Sequence, residues 1–225
     1  MNGEGPRAAM KRAYMAVCAT AGWLALLLQF PLTIGTSLSN GMSVFGAVIT
    51  YFSFFTILTN LMVTLGLTVL LWAPKSRLGH FFSRPVVTAG TTIYISFVGL
   101  VYSLLLRNLW DPEGLQKIAD IILHDVVPVM YAAYWLFLAP KVTLRWQSIM
   151  LWLIYPVAYF SFILIRGALS SRYPYPFLDV GRLGYPRVLF NSVVLLVAFV
   201  GIGLFMVAAS RWLGRSSAVK AEQAK

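Results

Sequence analysis

The side chains that can do chemistry are concentrated in two short stretches of an otherwise apolar chain. The first stretch contains His124, which lies four residues after Asp120 and directly before Asp125. Residues four apart share one face of a helix, so the Asp120 carboxylate can orient the imidazole, and Asp125 is the other candidate for this role. Pro128 has no N–H, so a helix here would bend and leave the His124 carbonyl without its usual donor. A histidine held in this way suits general-base chemistry. The alternative is an interhelical hydrogen bond that only holds helices together.

The second stretch is a run of hydroxyl and amide side chains. Ser53, Thr56 and Asn60 follow helical spacing and share one face, and Thr59 lies within the same run. The spacing permits a pair between a hydroxyl of this stretch and the imidazole of His124. For each threonine, the alternative is a bond to its own helix or packing against a neighbour.

The composition identifies the kind of protein that carries these stretches. Hydrophobic residues make up 59% of the 225 residues, and charged residues only 11%. Soluble domains have about 25% charged residues, so a water-soluble fold and a disordered chain are both excluded. Cys18 is the single cysteine, which excludes an internal disulfide and a paired-cysteine metal or redox site. A polytopic membrane protein remains.

Six stretches are apolar enough to cross a bilayer, which takes roughly 20 residues each. They are residues 13–34, 43–73, 85–106, 118–139, 147–169 and 188–212. The second is long enough to tilt, or to begin as an interfacial segment before it crosses. We therefore predict an all-α fold, a single domain of six transmembrane helices.

The formal net charge of +11 is explained by topology. With six spans, twelve of the 18 Lys and Arg residues fall on the side of the termini and six on the other side. The positive-inside rule then places both termini in the cytoplasm. The basic excess gives no reason to expect a nucleic-acid partner, and membrane lipids are the expected surroundings.

The two polar stretches are predicted to lie at one depth in the membrane. Under this topology both helices run inward from the outer side. At 1.5 Å per residue, His124 lies about 9 Å and Thr56 about 12 Å into the span. A hydroxyl–imidazole pair in the outer half of the bilayer is therefore possible. Hydrogen-bond reach between the two groups would favour a hydrolase.

Two arginines near the outer helix ends are further candidates. Arg107 and Arg166 follow the apolar parts of the third and fifth spans. Snorkelling to the headgroup region is the usual role of such residues. The alternative is a cationic rim that binds a carboxylate or phosphate headgroup. No metal or other cofactor is expected, because one histidine with scattered aspartates is a poor zinc site.

Three motifs in this order resemble the androgen-induced-gene family of integral membrane proteins, and in particular its bacterial six-span branch. They are Phe54-Phe-Thr-Ile-Leu-Thr-Asn60, His124-Asp-Val-Val-Pro128 and Tyr175-Pro-Phe-Leu-Asp179. Animal members of the family cleave fatty acid esters of hydroxy fatty acids with an intramembrane threonine and a histidine base. The resemblance places these roles on Thr56 and His124, with Thr59 as the alternative register. In the reaction that it implies, His124 takes the proton of the threonine hydroxyl, and Ser53, Thr59 or Asn60 can donate to the oxyanion. It also implies a bacterial plasma membrane as the location.

Two other functions stay open at this point. Asp120, His124 and Asp125 can serve as relay groups in a transporter of small solutes or protons. Alternatively, the protein is a non-catalytic membrane scaffold whose polar residues only join helices. The acyl chain, the leaving alcohol and the oligomeric state are not determined by the sequence.

Overall fold

Six helices of the chain are long and apolar enough to cross a membrane. The structure, a computed structural model, describes residues 5–223 and contains no β-strand within them. The spans are Pro6–Ser39, Phe55–Trp72, Pro85–Leu109, Gly114–Leu138, Ser148–Ser170 and Val180–Gly214. The predictions of an all-α fold, six transmembrane helices and an integral membrane protein are confirmed.

Some of these spans are built from more than one helical segment. The α-helices, in chain order, are α1 (Pro6–Ser39), α2 (Val44–Tyr51), α3 (Phe55–Trp72), α4 (Arg77–Phe82), α5 (Pro85–Val101), α6 (Gly114–Ile121), α7 (Val127–Ala133), α8 (Ser148–Ser170) and α9 (Val180–Gln223). π-Helical turns occupy Tyr102–Leu106, Ile122–Val126 and Tyr134–Leu138, and 3-10 turns occupy Arg107–Leu109 and Pro176–Leu178. The third and fourth spans thus contain π-helical turns, which occur mostly as single turns inside α-helices and frequently at functional sites.

The chain divides into two compact units, Met1–Pro140 and Lys141–Lys225. Among the described residues, the first unit contains the first four spans and the second unit contains the last two. Both polar stretches singled out in the sequence belong to the first unit. The single transmembrane domain stays a prediction.

The stretch predicted as one long second span is divided into α2 and α3. Phe54 has extended backbone angles (φ −84°, ψ 126°), which ends the helical path between the two helices. The Ser53 hydroxyl donates to the Ile49 carbonyl at 2.5 Å, the kind of local bond that competes with helix continuation. The break places Thr56 in the first turn of α3, at the positive end of its helix dipole.

Close packing between α1 and α3 fixes the position of α3. Gly22 of α1 lies so near α3 that a Cβ atom there would be 2.2 Å from the Thr64 hydroxyl oxygen. One residue along, the Trp23 indole donates to the Thr68 hydroxyl at 3.0 Å. Tyr51, at the end of α2, donates to the Leu26 carbonyl of α1 at 2.8 Å. Both sides of the break before Thr56 are therefore anchored on α1.

Large apolar side chains remain exposed along the spans. Examples are Leu27 of α1 at 66%, Phe137 of the fourth span at 68% and Phe205 of α9 at 73%. So many exposed large apolar side chains are rare on soluble monomers and suit contact with lipid chains. Membrane lipids are accordingly the surroundings that these helices fit.

The second unit contains the third sequence motif, residues 175–179. Tyr175 and Phe177 stack with ring centroids 5.2 Å apart, and the Phe177 carbonyl accepts from the Asn191 amide at 3.0 Å. Asp179 precedes α9, and its carboxylate accepts the Arg182 backbone N–H at 3.1 Å. This motif therefore forms the connection that begins α9, with the aspartate acting as a helix cap.

Candidate active site

The structure brings Thr56 of α3 and His124 of the fourth span into hydrogen-bond reach. Thr56 Oγ1 lies 3.3 Å from His124 Nε2. The pair is mostly enclosed, since Thr56 is 8% exposed and the His124 side chain 14% exposed. An apolar cluster that includes Leu26, Ile57 and Leu123 packs in the same region of the unit. The two side chains thus lie at one level, as the helical rise from the membrane surface predicted.

The other ring nitrogen determines which role Nε2 can take. His124 Nδ1 lies 3.0 Å from the Asp120 backbone carbonyl, and a carbonyl can only accept. Nδ1 therefore carries the proton in the neutral imidazole, and Nε2 is the acceptor that faces the Thr56 hydroxyl. A hydroxyl, an unprotonated ring nitrogen and a second group that fixes the tautomer form the arrangement of a nucleophile with its base.

The Asp120 carboxylate lies beside the ring but is oriented by another residue. Its Oδ1 is 3.1 Å from His124 Nδ1, yet the ring N–H is directed at the carbonyl, and Oδ1 has no hydrogen bond within the described residues. Its Oδ2 accepts a short hydrogen bond from the Tyr102 hydroxyl. The Tyr102 ring also stacks on the imidazole, with centroids 3.9 Å apart and planes 15° from parallel. Tyr102 therefore restrains both the histidine and its carboxylate.

Tyr102→Phe tests this restraint, because it keeps the stacked ring and removes only the hydroxyl. The buried Asp120 carboxylate then loses its donor, and we expect the free energy of unfolding to fall by about 1–3 kcal/mol. Thermal unfolding in detergent micelles measures the change. Tyr14→Phe is the control, since it removes a neutral bond of 2.9 Å to the Met130 carbonyl, and a smaller loss is expected there. Equal stability of the Tyr102→Phe and wild-type proteins would contradict the restraint.

Asp125, the other candidate for orienting His124, pairs with Arg107. The Arg107 guanidinium donates to Asp125 Oδ1 in a short contact and to the Ser103 hydroxyl at 3.3 Å. The guanidinium also lies 4.9 Å from the centre of the Tyr102 ring. Asp120 is thus the carboxylate beside the imidazole, and the charge of Arg107 is already balanced by an internal partner.

The three oxyanion candidates occupy different positions. The Asn60 amide nitrogen donates to the Thr56 carbonyl at 2.9 Å and to the Leu123 carbonyl at 3.1 Å. Ser53 donates to a carbonyl of α2, and Thr59 is fully buried on α3. Both amide protons of Asn60 are therefore committed to backbone carbonyls. Thr56 is placed against the ring of His124.

The π-helical turn changes which carbonyl Pro128 affects. In this turn the Val127 N–H bonds the Ile122 carbonyl, five residues earlier. By the same five-residue spacing, Pro128 follows the Leu123 carbonyl, so that carbonyl is the one left without a backbone donor. An α-helical count predicted the His124 carbonyl instead. Gly99 of α5 approaches this turn closely, since a Cβ there would lie 3.1 Å from the His124 carbonyl oxygen and 3.2 Å from Pro128 Cβ.

Arg166 belongs to the second unit and is described separately from the pair. Its guanidinium donates to the Arg172 carbonyl at 3.0 Å, across the end of α8. A partly buried arginine bonded to the following loop fixes local structure at this helix end. Its role toward a lipid headgroup stays a prediction.

The described residues were also compared with metal-site geometry, and the chain with known proteins. Within residues 5–223, no group of three or more histidine, cysteine, aspartate or glutamate side chains is placed to hold a metal ion. Comparison of the chain with known protein families, curated proteins and solved structures finds no match.

Sequence reasoning missed Tyr102 as a member of this site. The chain has eleven tyrosines, and Tyr102 lies in an apolar span with no spacing that links it to His124. The one sequence feature that sets Tyr102 apart is its position five residues before Arg107, in the span that precedes the polar fourth span. The pairing of these helices became evident only in the structure.

Proposed function

We propose that this protein is an intramembrane lipid-ester hydrolase in which Thr56 is the nucleophile and His124 the general base. One observation carries the proposal, the 3.3 Å distance between Thr56 Oγ1 and a His124 Nε2 that has no proton in the neutral ring. The resemblance of the three motifs to a family of threonine hydrolases supports the same roles. Thr59, one turn further along α3, stays the alternative register.

The proposed reaction has two acyl-transfer steps. The Thr56 oxygen attacks the ester carbonyl while His124 Nε2 takes the hydroxyl proton. The tetrahedral intermediate collapses, the alcohol leaves with the proton returned by His124, and an acyl-threonine remains. Water then attacks this ester with His124 again as the base, which releases the fatty acid and restores the Thr56 hydroxyl.

The surrounding residues support these steps without entering them. The Asp120 carbonyl holds the imidazole in the tautomer that leaves Nε2 free of a proton, and Tyr102 holds the ring plane. The start of α3 places the positive end of a helix dipole at Thr56, where negative charge develops on the carbonyl oxygen. Donors aimed at such an oxyanion contribute roughly 3 kcal/mol in other acyl-transfer sites.

The proposed substrate is a lipid ester that enters sideways from the membrane. The charge asymmetry favours both termini in the cytoplasm, and the resemblance implies a bacterial plasma membrane. The site then lies in the outer half of the bilayer. A fatty acid ester of a hydroxy fatty acid is the substrate class that the resemblance implies. Arg107 is the proposed contact for its headgroup, and Arg166 stays a separate candidate within the second unit.

Purified protein in detergent micelles tests the proposal. A long-chain ester of a hydroxy fatty acid is supplied, and released fatty acid is measured by mass spectrometry. We expect release in proportion to protein concentration, without added metal or cofactor. Absence of release from this ester and from a panel of other lipid esters would contradict the proposal.

Proton or solute transport is the second candidate, favoured by one observation. Tyr102, Asp120 and His124 form a connected chain of titratable groups within the membrane-spanning part of the first unit. Such chains line proton paths in transporters. Proteoliposomes with a pH-sensitive dye inside distinguish the two functions, since transport acidifies the interior and survives Thr56→Ala, whereas hydrolysis requires the threonine.

A further inference from the structure

Asn60 connects the two helices that carry Thr56 and His124. Its side-chain nitrogen donates to the carbonyl of Thr56 on its own helix and to the carbonyl of Leu123 on the fourth span. The residue is fully buried. One amide thus bonds the backbone of the proposed nucleophile and the backbone directly before the proposed base.

The orientation of this amide is fixed by its two partners. Both partners are carbonyl oxygens, so only the NH2 group can face them. A rotated amide would place Asn60 Oδ1 against two acceptors. In the observed orientation Oδ1 is buried and accepts no hydrogen bond from the described part of the chain. A buried acceptor without a donor costs free energy, so the two donated bonds are what favours an asparagine at this position.

The Leu123 carbonyl is available to Asn60 because of the π-helical turn. A carbonyl in such a turn bonds the N–H five residues later, as Ile122 does with Val127. For Leu123 that residue is Pro128, which has no N–H. The Asn60 amide takes the place of the missing donor. The turn, the proline and the asparagine therefore form one interlocking arrangement.

We propose that Asn60 is a positioning residue, which holds Thr56 and His124 at reaction distance through these two carbonyls. The inference rests on the proposed function and replaces the oxyanion role that the sequence suggested for Asn60. Misplacement of reacting groups by about 1 Å costs about 100-fold in rate. Loss of both bonds is therefore expected to lower kcat while KM, which reflects lipid binding, stays near its wild-type value.

Two variants separate positioning from folding. Asn60→Leu keeps the approximate volume and removes both donors, and Asn60→Asp keeps the shape and turns an acceptor toward the carbonyls. We expect kcat to fall about 10- to 100-fold in each, measured per correctly folded protein. Thr64→Ala is the matched control, because Thr64 is fully buried one turn further along α3 and its hydroxyl makes no hydrogen bond within residues 5–223.

A second readout detects the interhelical bond without any reaction. Leu123-His124 is the only Leu-His pair in the sequence, so carbonyl-13C leucine combined with 15N histidine labels one peptide bond selectively. The Leu123 carbonyl carbon should shift upfield in Asn60→Leu, where it loses its donor, and stay unchanged in Thr64→Ala. The expected result is a shifted carbonyl signal together with the loss of kcat.

The possible failures are distinct. A shifted carbonyl with wild-type kcat in Asn60→Leu would overturn positioning, while hydrolysis that depends on Thr56 would keep the proposed function. An unshifted Leu123 carbonyl signal in Asn60→Leu would mean that Asn60 does not donate to this carbonyl, and it would overturn the inference. Hydrolysis that survives Thr56→Ala would remove the proposed function, and with it the reaction that Asn60 is proposed to serve.

Discussion

The Thr56→Ala protein is expected to release no fatty acid from a lipid ester above the level of a protein-free control. Removal of the hydroxyl removes the atom that forms the acyl bond. Comparable losses in serine hydrolases are on the order of 1,000-fold or more. The same variant should not react with a fluorophosphonate probe of serine and threonine hydrolases. Fatty acid release and in-gel fluorescence measure the two effects.

Two companion variants show whether the loss belongs to the hydroxyl. Thr56→Ser keeps a hydroxyl at the position and should retain measurable turnover and probe labelling. Thr50→Ala removes the hydroxyl of a nearby threonine, which donates to the Gly46 carbonyl at 2.9 Å, and should keep most of the activity. Equal losses in Thr50→Ala and Thr56→Ala would mean that the region is only sensitive to packing.

Replacement of His124 by asparagine should have an equally large effect. An asparagine amide can still donate to the Asp120 carbonyl, but it offers no basic nitrogen to the Thr56 hydroxyl. The hydroxyl then keeps its proton and attacks too slowly, so we expect turnover to fall on the order of 1,000-fold or more. Initial rates on the same ester measure the change.

The chain provides a simple control for this histidine. His80 is the only other histidine, and it lies exposed on the short helix α4 between two spans. His80→Asn should hydrolyse the ester at the wild-type rate. Near-normal rates in His124→Asn would instead mean that another group is the base. The 3.3 Å contact between Thr56 Oγ1 and His124 Nε2 would then have no catalytic role.

The spans were predictable because their signals are local. Apolar runs of the right length fix the membrane helices, and Pro85 begins its helix where an N–H would have no partner. The division between α2 and α3 was not predictable, because residues 43–73 are apolar on both sides of Ser53. The break depends on a hydroxyl bond to Ile49 and on the anchoring of Tyr51 against α1.

The site was predictable in part for the same reason. Spacing and depth linked Thr56 with His124, since both follow from helical rise within single segments. Contacts that depend on which helices are neighbours could not be deduced, and Tyr102 with its bond to Asp120 is the clearest case. The pairing of Asp125 with Arg107 is another. Because of the π-helical turn, the carbonyl that Pro128 leaves without a backbone donor is Leu123, whereas an α-helical count predicts His124.

The residue that a covalent hydrolase probe modifies identifies the nucleophile. Wild-type protein is incubated with the fluorophosphonate probe, digested and sequenced by mass spectrometry, with His124→Asn treated in parallel. We expect one stoichiometric adduct on the Thr56 hydroxyl in the wild-type protein and little or none in the variant. An adduct on a different residue, or ester turnover by a protein that never acquires one on Thr56, would contradict it.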